Sequence, residues 1–154
     1  EGHEAVVRLL CGAGANKDQP ETDSGATPMY SAASNSHETV VRLLCDAGAN
    51  TDLPSSDSST PMYAAAQEGH EAVVRLLCGA SANKDQPETD KWCHSMYAAA
   101  EYGHEAVVQL LCGVGASKDQ PLTNGATPMY IAALIGHEAV VRLLCKVGAN
   151  GEDH

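Results

Sequence analysis

Apolar positions along the chain fall in short clusters of helical period, and the clearest is the stretch GHEAVVRLLC, which opens at Gly2 and returns, barely altered, four more times. In the copy after His37, Val40, Val41, Leu43 and Leu44 stand at i, i+1, i+3 and i+4. That spacing makes a broad apolar stripe on one side of a helix, with polar residues on the other. The marker histidines His3, His37, His70, His104 and His137 are 34, 33, 34 and 33 residues apart. A fixed period in this range predicts a stacked repeat array.

Each full period adds a second, shorter segment before the GHEAVVRLLC-type stretch. Between Thr22 and Pro54, the residues Asp23, Ser24 and Gly25 supply a turn, and Thr27-Pro28 reads as an N-cap followed by proline at the first helical position. Ala32 and Ala33 are small enough for a neighbouring helix to approach closely, and Ser36-His37 turns the chain into the next helix. Gly48 is placed to end that helix in a left-handed cap. The unit is a helix-turn-helix followed by a polar loop. Residues 1–21 hold only a second helix and its exit loop, so Val6, Val7, Leu9 and Leu10 are expected to be half uncovered, with further chain expected upstream. The last unit ends just past Gly148-Ala149-Asn150, and continuation downstream is expected as well.

The third full unit departs from the pattern. It reads Lys91-Trp92-Cys93-His94-Ser95 where the others have a small turn residue and Thr-Pro. Replacing the capping threonine predicts a loss of about 1 kcal/mol at the start of that helix.

The TPMYSAA, SHETVVRLL and AGAN segments resemble the ankyrin repeat, whose pattern runs T-P-L-H-x-A-A, then G-H with paired valines and leucines, then G-A. Thr60-Pro61-Met62-Tyr63 and Thr127-Pro128-Met129-Tyr130 repeat the signature, with Tyr for the usual His and Met for the usual Leu. The resemblance covers the whole chain. It implies an all-α fold, an α-solenoid of stacked helix-turn-helix repeats with projecting loops. The expected organisation is a single array over 1–154, with a partial repeat at 1–21 and full repeats at 22–54, 55–88, 89–121 and 122–154. Pro20, Pro54, Pro87 and Pro121 each remove a backbone donor from the loops, which are therefore expected to hold little regular strand.

Composition narrows the function. The core is built without Phe, so burial comes from many small Leu, Val, Ala and Cys contacts repeated along a line. Nine Lys and Arg against 20 Asp and Glu give a net charge of -11, with the cations scattered. Nucleic acid is thereby disfavoured, because its binding needs clustered cations to neutralise phosphates. Neutral or basic partners are preferred. No apolar run approaches the ~20 residues needed to cross a bilayer, so direct membrane insertion is not expected.

Five of the six cysteines, Cys11, Cys45, Cys78, Cys112 and Cys145, hold the same place in successive repeats. Stacked helices are on the order of 10 Å apart, whereas a disulfide needs Cα atoms within about 7 Å. They are expected to stay reduced and to act as buried small hydrophobes, in a reducing compartment such as cytoplasm, nucleus or an organelle interior. His-Glu occurs in every copy, but His37 is followed four residues on by Val41 and His70 by Val74. The second imidazole of a zinc-protease helix is missing, and each histidine is expected to bond to nearby backbone at the helix-helix turn. Cys93-His94 has no flanking CxxC or HxxxH partners. With no nucleophile elbow and no phosphate-binding glycine loop, neither enzyme activity, a metal nor a cofactor is expected.

Core positions in an array must stay alike while free positions drift, so differences among the copies mark the open surface. They lie at the loop tips, Asp23, Ser24, Ser56, Asp57, Asp90, Lys91, Thr123 and Asn124, and late in the first helix, at Ser34-Asn35, Gln67-Glu68, Glu101-Tyr102 and Leu134-Ile135. The resemblance implies that these positions line a concave face that grips a protein partner. Trp92, Tyr102, Leu134 and Ile135 are the expected anchors, with Glu101, Gln67, Glu68, Asp90, Lys91 and Asn35 around them. The alternative is that Trp92 packs over its own loop and that Leu134 and Ile135 cover a neighbouring repeat. Arg8, Arg42, Arg75, Gln109 and Arg142 are expected to face solvent. The resulting expectation is a protein-binding scaffold or adaptor, the alternatives being a structural subunit of a large assembly and a regulatory arm of a larger enzyme.

Overall fold

The computed structural model describes the backbone of residues 3–81 and 89–149 and the side chains of 3–80 and 94–148. Its helices are α1 Glu4–Gly12, α2 Pro28–Ser34, α3 Glu38–Asp46, α4 Pro61–Gln67, α5 Glu71–Ser81, α6 Thr89–Glu101, α7 Glu105–Gly113, α8 Pro128–Ile135 and α9 Glu138–Ala149. Among the described residues there is no strand, as the loop prolines predict.

Local chemistry sets the helix ends. Thr27 is extended and its hydroxyl accepts the Tyr30 N–H at 3.2 Å, with Pro28 at the first helical position. Thr60 and Thr127 accept from Tyr63 and Tyr130 at the same 3.2 Å. Each cap satisfies one of the donors that a helix start leaves orphaned. Beyond α3, the Ala49 N–H reaches the Leu44 carbonyl and the Gly48 N–H the Cys45 carbonyl, both at 2.9 Å. Gly48 makes this double bond possible by taking a φ of 77°. The turn from α2 to α3 passes through Ser36 at a φ of 57°, where the later copies place glycine.

The third full unit is where structure departs from the expected start. Its first helix, α6, opens at Thr89 and runs for 13 residues, against seven for α2 and α4. The capping position is not simply lost. Ser95 stands where the other copies have proline and keeps its backbone donor, so the helix continues upstream through His94.

Backbone contacts divide the chain into two compact units, one of 1–65 with 72–86, the other of 66–71 with 87–154. In the first, α2 and α1 both pack on α3, and Met29, Ala33, Val41 and Leu44 are at most 2% exposed. Asp18 on the loop after α1 accepts the Asn50 N–H at 2.8 Å, tying it to the loop after α3. On α1 itself Val6, Leu9 and Leu10 are 52%, 74% and 52% exposed, and Val7 is half-buried. In the second unit, α6 packs on α7 and α8, α8 on α9, and α7 on α9. Met96, Val107, Val108, Leu111, Ala132 and Leu144 form its interior.

The repeated cysteines are not equally buried. Only Cys78 is buried; Cys11, Cys45 and Cys112 are half-buried and Cys145 is exposed. The residue after the last leucine of the stripe lies about 100° further round the helix, at the margin of the apolar face. Burial, and then the Asp46 carboxylate, raises the Cys45 thiol, while burial pushes Cys78 up to about 11. Burial also raises Cys112, with Lys118 opposing it. These thiols are poor nucleophiles at neutral pH.

Candidate protein-binding surface

The repeated histidine and the variable residues are directly linked. His104 stands just before α7, and its Nε2 donates to the carbonyl of Gln67, the last residue of α4, at 2.8 Å. His137 before α9 donates in the same way to the carbonyl of Glu101, the last residue of α6, at 2.8 Å. The imidazole therefore serves the end of the preceding unit's first helix, not its own turn. It fills an acceptor that a helix C-terminus leaves unmet. Gly69 and Gly103 make room: a Cβ at either would stand 2.5 Å from His104 Nδ1 or 2.7 Å from His137 Nδ1.

The side chains at the ends of α6 and α8 face solvent. Tyr102 is 52% exposed, Leu134 66% and Ile135 50%. Tyr102 stacks on His104 with ring centroids 6.4 Å apart and planes 10° from parallel. Glu101 and Gln67 are half-buried and Glu68 is exposed. Because α6 packs on α8, the pairs Glu101-Tyr102 and Leu134-Ile135 belong to one surface of the second unit. Asn35 lies in the first unit, exposed, its amide donating to the Ser31 carbonyl at 2.9 Å. Trp92, Asp90 and Lys91 fall in α6 by backbone, but their side chains, like that of Cys93, lie outside the described residues.

Two residues of this surface were not singled out by divergence, Tyr97 and Tyr130. They stand four residues before Glu101 and Leu134, hence on the same faces of α6 and α8. Tyr130 is 57% exposed. Burial, then the Glu101 carboxylate, then Tyr130 raise the Tyr97 hydroxyl above the usual tyrosine value. The available signal was the replacement of the family's His by Tyr at these positions.

Among the described residues the rest of the surface carries little chemistry. An open groove of about 480 Å³ lies between α7 and α9, lined by Glu105, Gln109, Glu138, Arg142, Leu143 and Lys146. Arg142 and Glu138 pair across one helical turn there, and Arg8 and Glu4 do so on α1 at 2.9 Å. Arg8, Arg42, Arg75, Gln109 and Arg142 are all exposed, a solvated face. Among the described residues no three His, Cys, Asp or Glu side chains converge as metal ligands, and no helix is long and apolar enough to cross a membrane.

A family model of ankyrin repeats in three copies matches residues 1–90 and 79–154. No curated protein matches the chain. Ankyrin repeats are in general protein–protein interaction modules and typically non-catalytic. With the capped first helices, the glycine turns and the histidine bonds between successive units in place, the chain belongs to the ankyrin-repeat family.

Proposed function

We propose that the chain works as a single array, a scaffold or adaptor that grips a protein partner through the ends of its first helices and the adjoining loops. The observation that carries this reading is the exposure of Tyr102, Leu134 and Ile135 at the positions where the copies disagree. Apolar and aromatic anchors ringed by polar groups dominate interface energy, and Glu68 and Glu101 supply such groups in the second unit; Asn35 is the matching polar position of the first. Asp90, Lys91 and Trp92 are further candidates by their divergence in sequence. Immobilised wild-type chain and its Tyr102→Ser/Leu134→Ser/Ile135→Ser variant should capture different protein sets by mass spectrometry, the variant losing most of them. Identical sets from two equally helical proteins would end this reading.

A second reading is a structural subunit held permanently in a large assembly. It requires a wide, largely apolar contact. Size-exclusion chromatography separates the two: a partner-independent monomer fits the scaffold, and aggregation relieved only by a partner fits the subunit.

A further inference from the structure

The first helices carry tyrosine at Tyr30, Tyr63, Tyr97 and Tyr130, where the ankyrin pattern has histidine. Residues four apart share a helix face, so α6 presents Tyr97 with Glu101 and α8 presents Tyr130 with Leu134. These two helices pack side by side in the second unit. The packing of α6 on α8 brings the half-buried Tyr97 and Glu101 of one helix alongside the other, which exposes Tyr130, Leu134 and Ile135. Tyr102, with one ring face stacked on His104, closes the same end of α6.

The electrostatics of this patch are one-sided. From Ser95 to Ile135 the sequence holds a single Lys or Arg, Lys118, and its ammonium stands 2.6 Å from the Asp119 carboxylate. The whole chain carries a charge of -11. Tyrosine ring faces attract ammonium and guanidinium groups, and a carboxylate beside them adds a charge-assisted hydrogen bond, for which the planar guanidinium is best shaped. The Glu101 carboxylate would repel an acidic partner here.

We propose that this surface selects a segment of a partner protein in which arginine or lysine stands beside an apolar residue, the cation resting on Tyr97, Tyr130 and Glu101 and the apolar side chain on Leu134 and Ile135. The proposal deepens the scaffold reading and rests on it. The preference for a cation comes from the rings and the carboxylate; the apolar contact adds affinity without choosing charge.

The test is fluorescence anisotropy of the full chain with a short labelled peptide in which arginine alternates with leucine. The same peptide with citrulline for arginine is the control, being of like shape and uncharged. The arginine peptide should bind roughly tenfold more tightly. Tyr130→Leu and Glu101→Gln should each weaken it by roughly two- to fivefold and leave the citrulline peptide unchanged. Both variants spare the fold, since Tyr130 is exposed and glutamine keeps the backbone carbonyl that His137 uses. Equal affinity for the two peptides, or affinity for neither, overturns the cation preference. The protein-capture experiment is scored separately: if the triple serine variant still loses its captured proteins, the scaffold stands and only the cation preference falls.

Discussion

His137 Nε2 donates a hydrogen bond to the Glu101 carbonyl at 2.8 Å, reaching back 36 residues to the end of the preceding unit's first helix. The residue that is the same in every copy thus holds the backbone of one that differs between copies. Constancy and variation are joined at one bond. Removing the donor with His137→Ala should cost about 1 kcal/mol in urea denaturation, the usual net value of a half-buried hydrogen bond. An unchanged midpoint would mean that water replaces the imidazole at no cost.

Gly103 makes that bond possible. Its φ is 76°, and a Cβ there would stand 2.7 Å from the His137 ring. Gly103→Ala is expected to cost about 1 to 2 kcal/mol from the left-handed backbone alone, with displacement of the imidazole added. Ser36 holds the same place in the first full unit at a φ of 57°. Ser36→Gly should therefore stabilise, by up to about 1 kcal/mol, and the opposite signs of the two changes can be read from paired denaturation curves.

Ser95 is fully buried and its hydroxyl has no partner among the described residues. Burying an unmet hydroxyl costs about 1 to 3 kcal/mol, and alanine is the better helix former. Ser95→Ala should raise stability by about 1 kcal/mol. Ser95→Pro, which restores the residue of the other copies, should instead cost about 3 kcal/mol, because it falls inside α6 and no longer at a helix start. A proline variant as stable as wild type would show that the helix begins at residue 95 after all.

The thiols give a pH prediction. Burial raises the folded Cys78 thiol to about 11, from 9.0. A raised acid is stabilised in its protonated form, so its contribution is complete below pH 9 and fades as pH climbs toward 11. Stability near neutrality is untouched. Alkylation by iodoacetamide at pH 8, followed by peptide mapping, should modify exposed Cys145 first and Cys78 last.

Much of this architecture is legible in the letters, for identifiable reasons. Thr27-Pro28, Thr60-Pro61 and Thr127-Pro128 fix helix starts through side-chain caps, and Gly48 fixes an end through its φ, all local chemistry. The upstream run of α6 is not legible in the same way. A missing proline reads as a lost cap, when in the fold it frees the helix to continue. The destination of His104 and His137 is set by stacking, so sequence placed the bond at the turn but not on the preceding unit. Equal sequence also hid unequal surroundings, as the cysteines show. At the candidate surface, divergence pointed to Tyr102, Leu134 and Ile135, all exposed. It passed over Tyr97 and Tyr130, because a tyrosine repeated in every copy looks structural.

The most direct test of the account compares two variants against one captured partner by calorimetry. Tyr102→Ser/Leu134→Ser/Ile135→Ser removes the exposed anchors of α6 and α8; Gln109→Ala/Arg142→Ala alters the solvated face of α7 and α9. The account predicts that the first loses on the order of 2 kcal/mol or more of binding free energy, the scale of an interface hot spot, and that the second binds as wild type does. Loss of binding in the second with the first unaffected would contradict it.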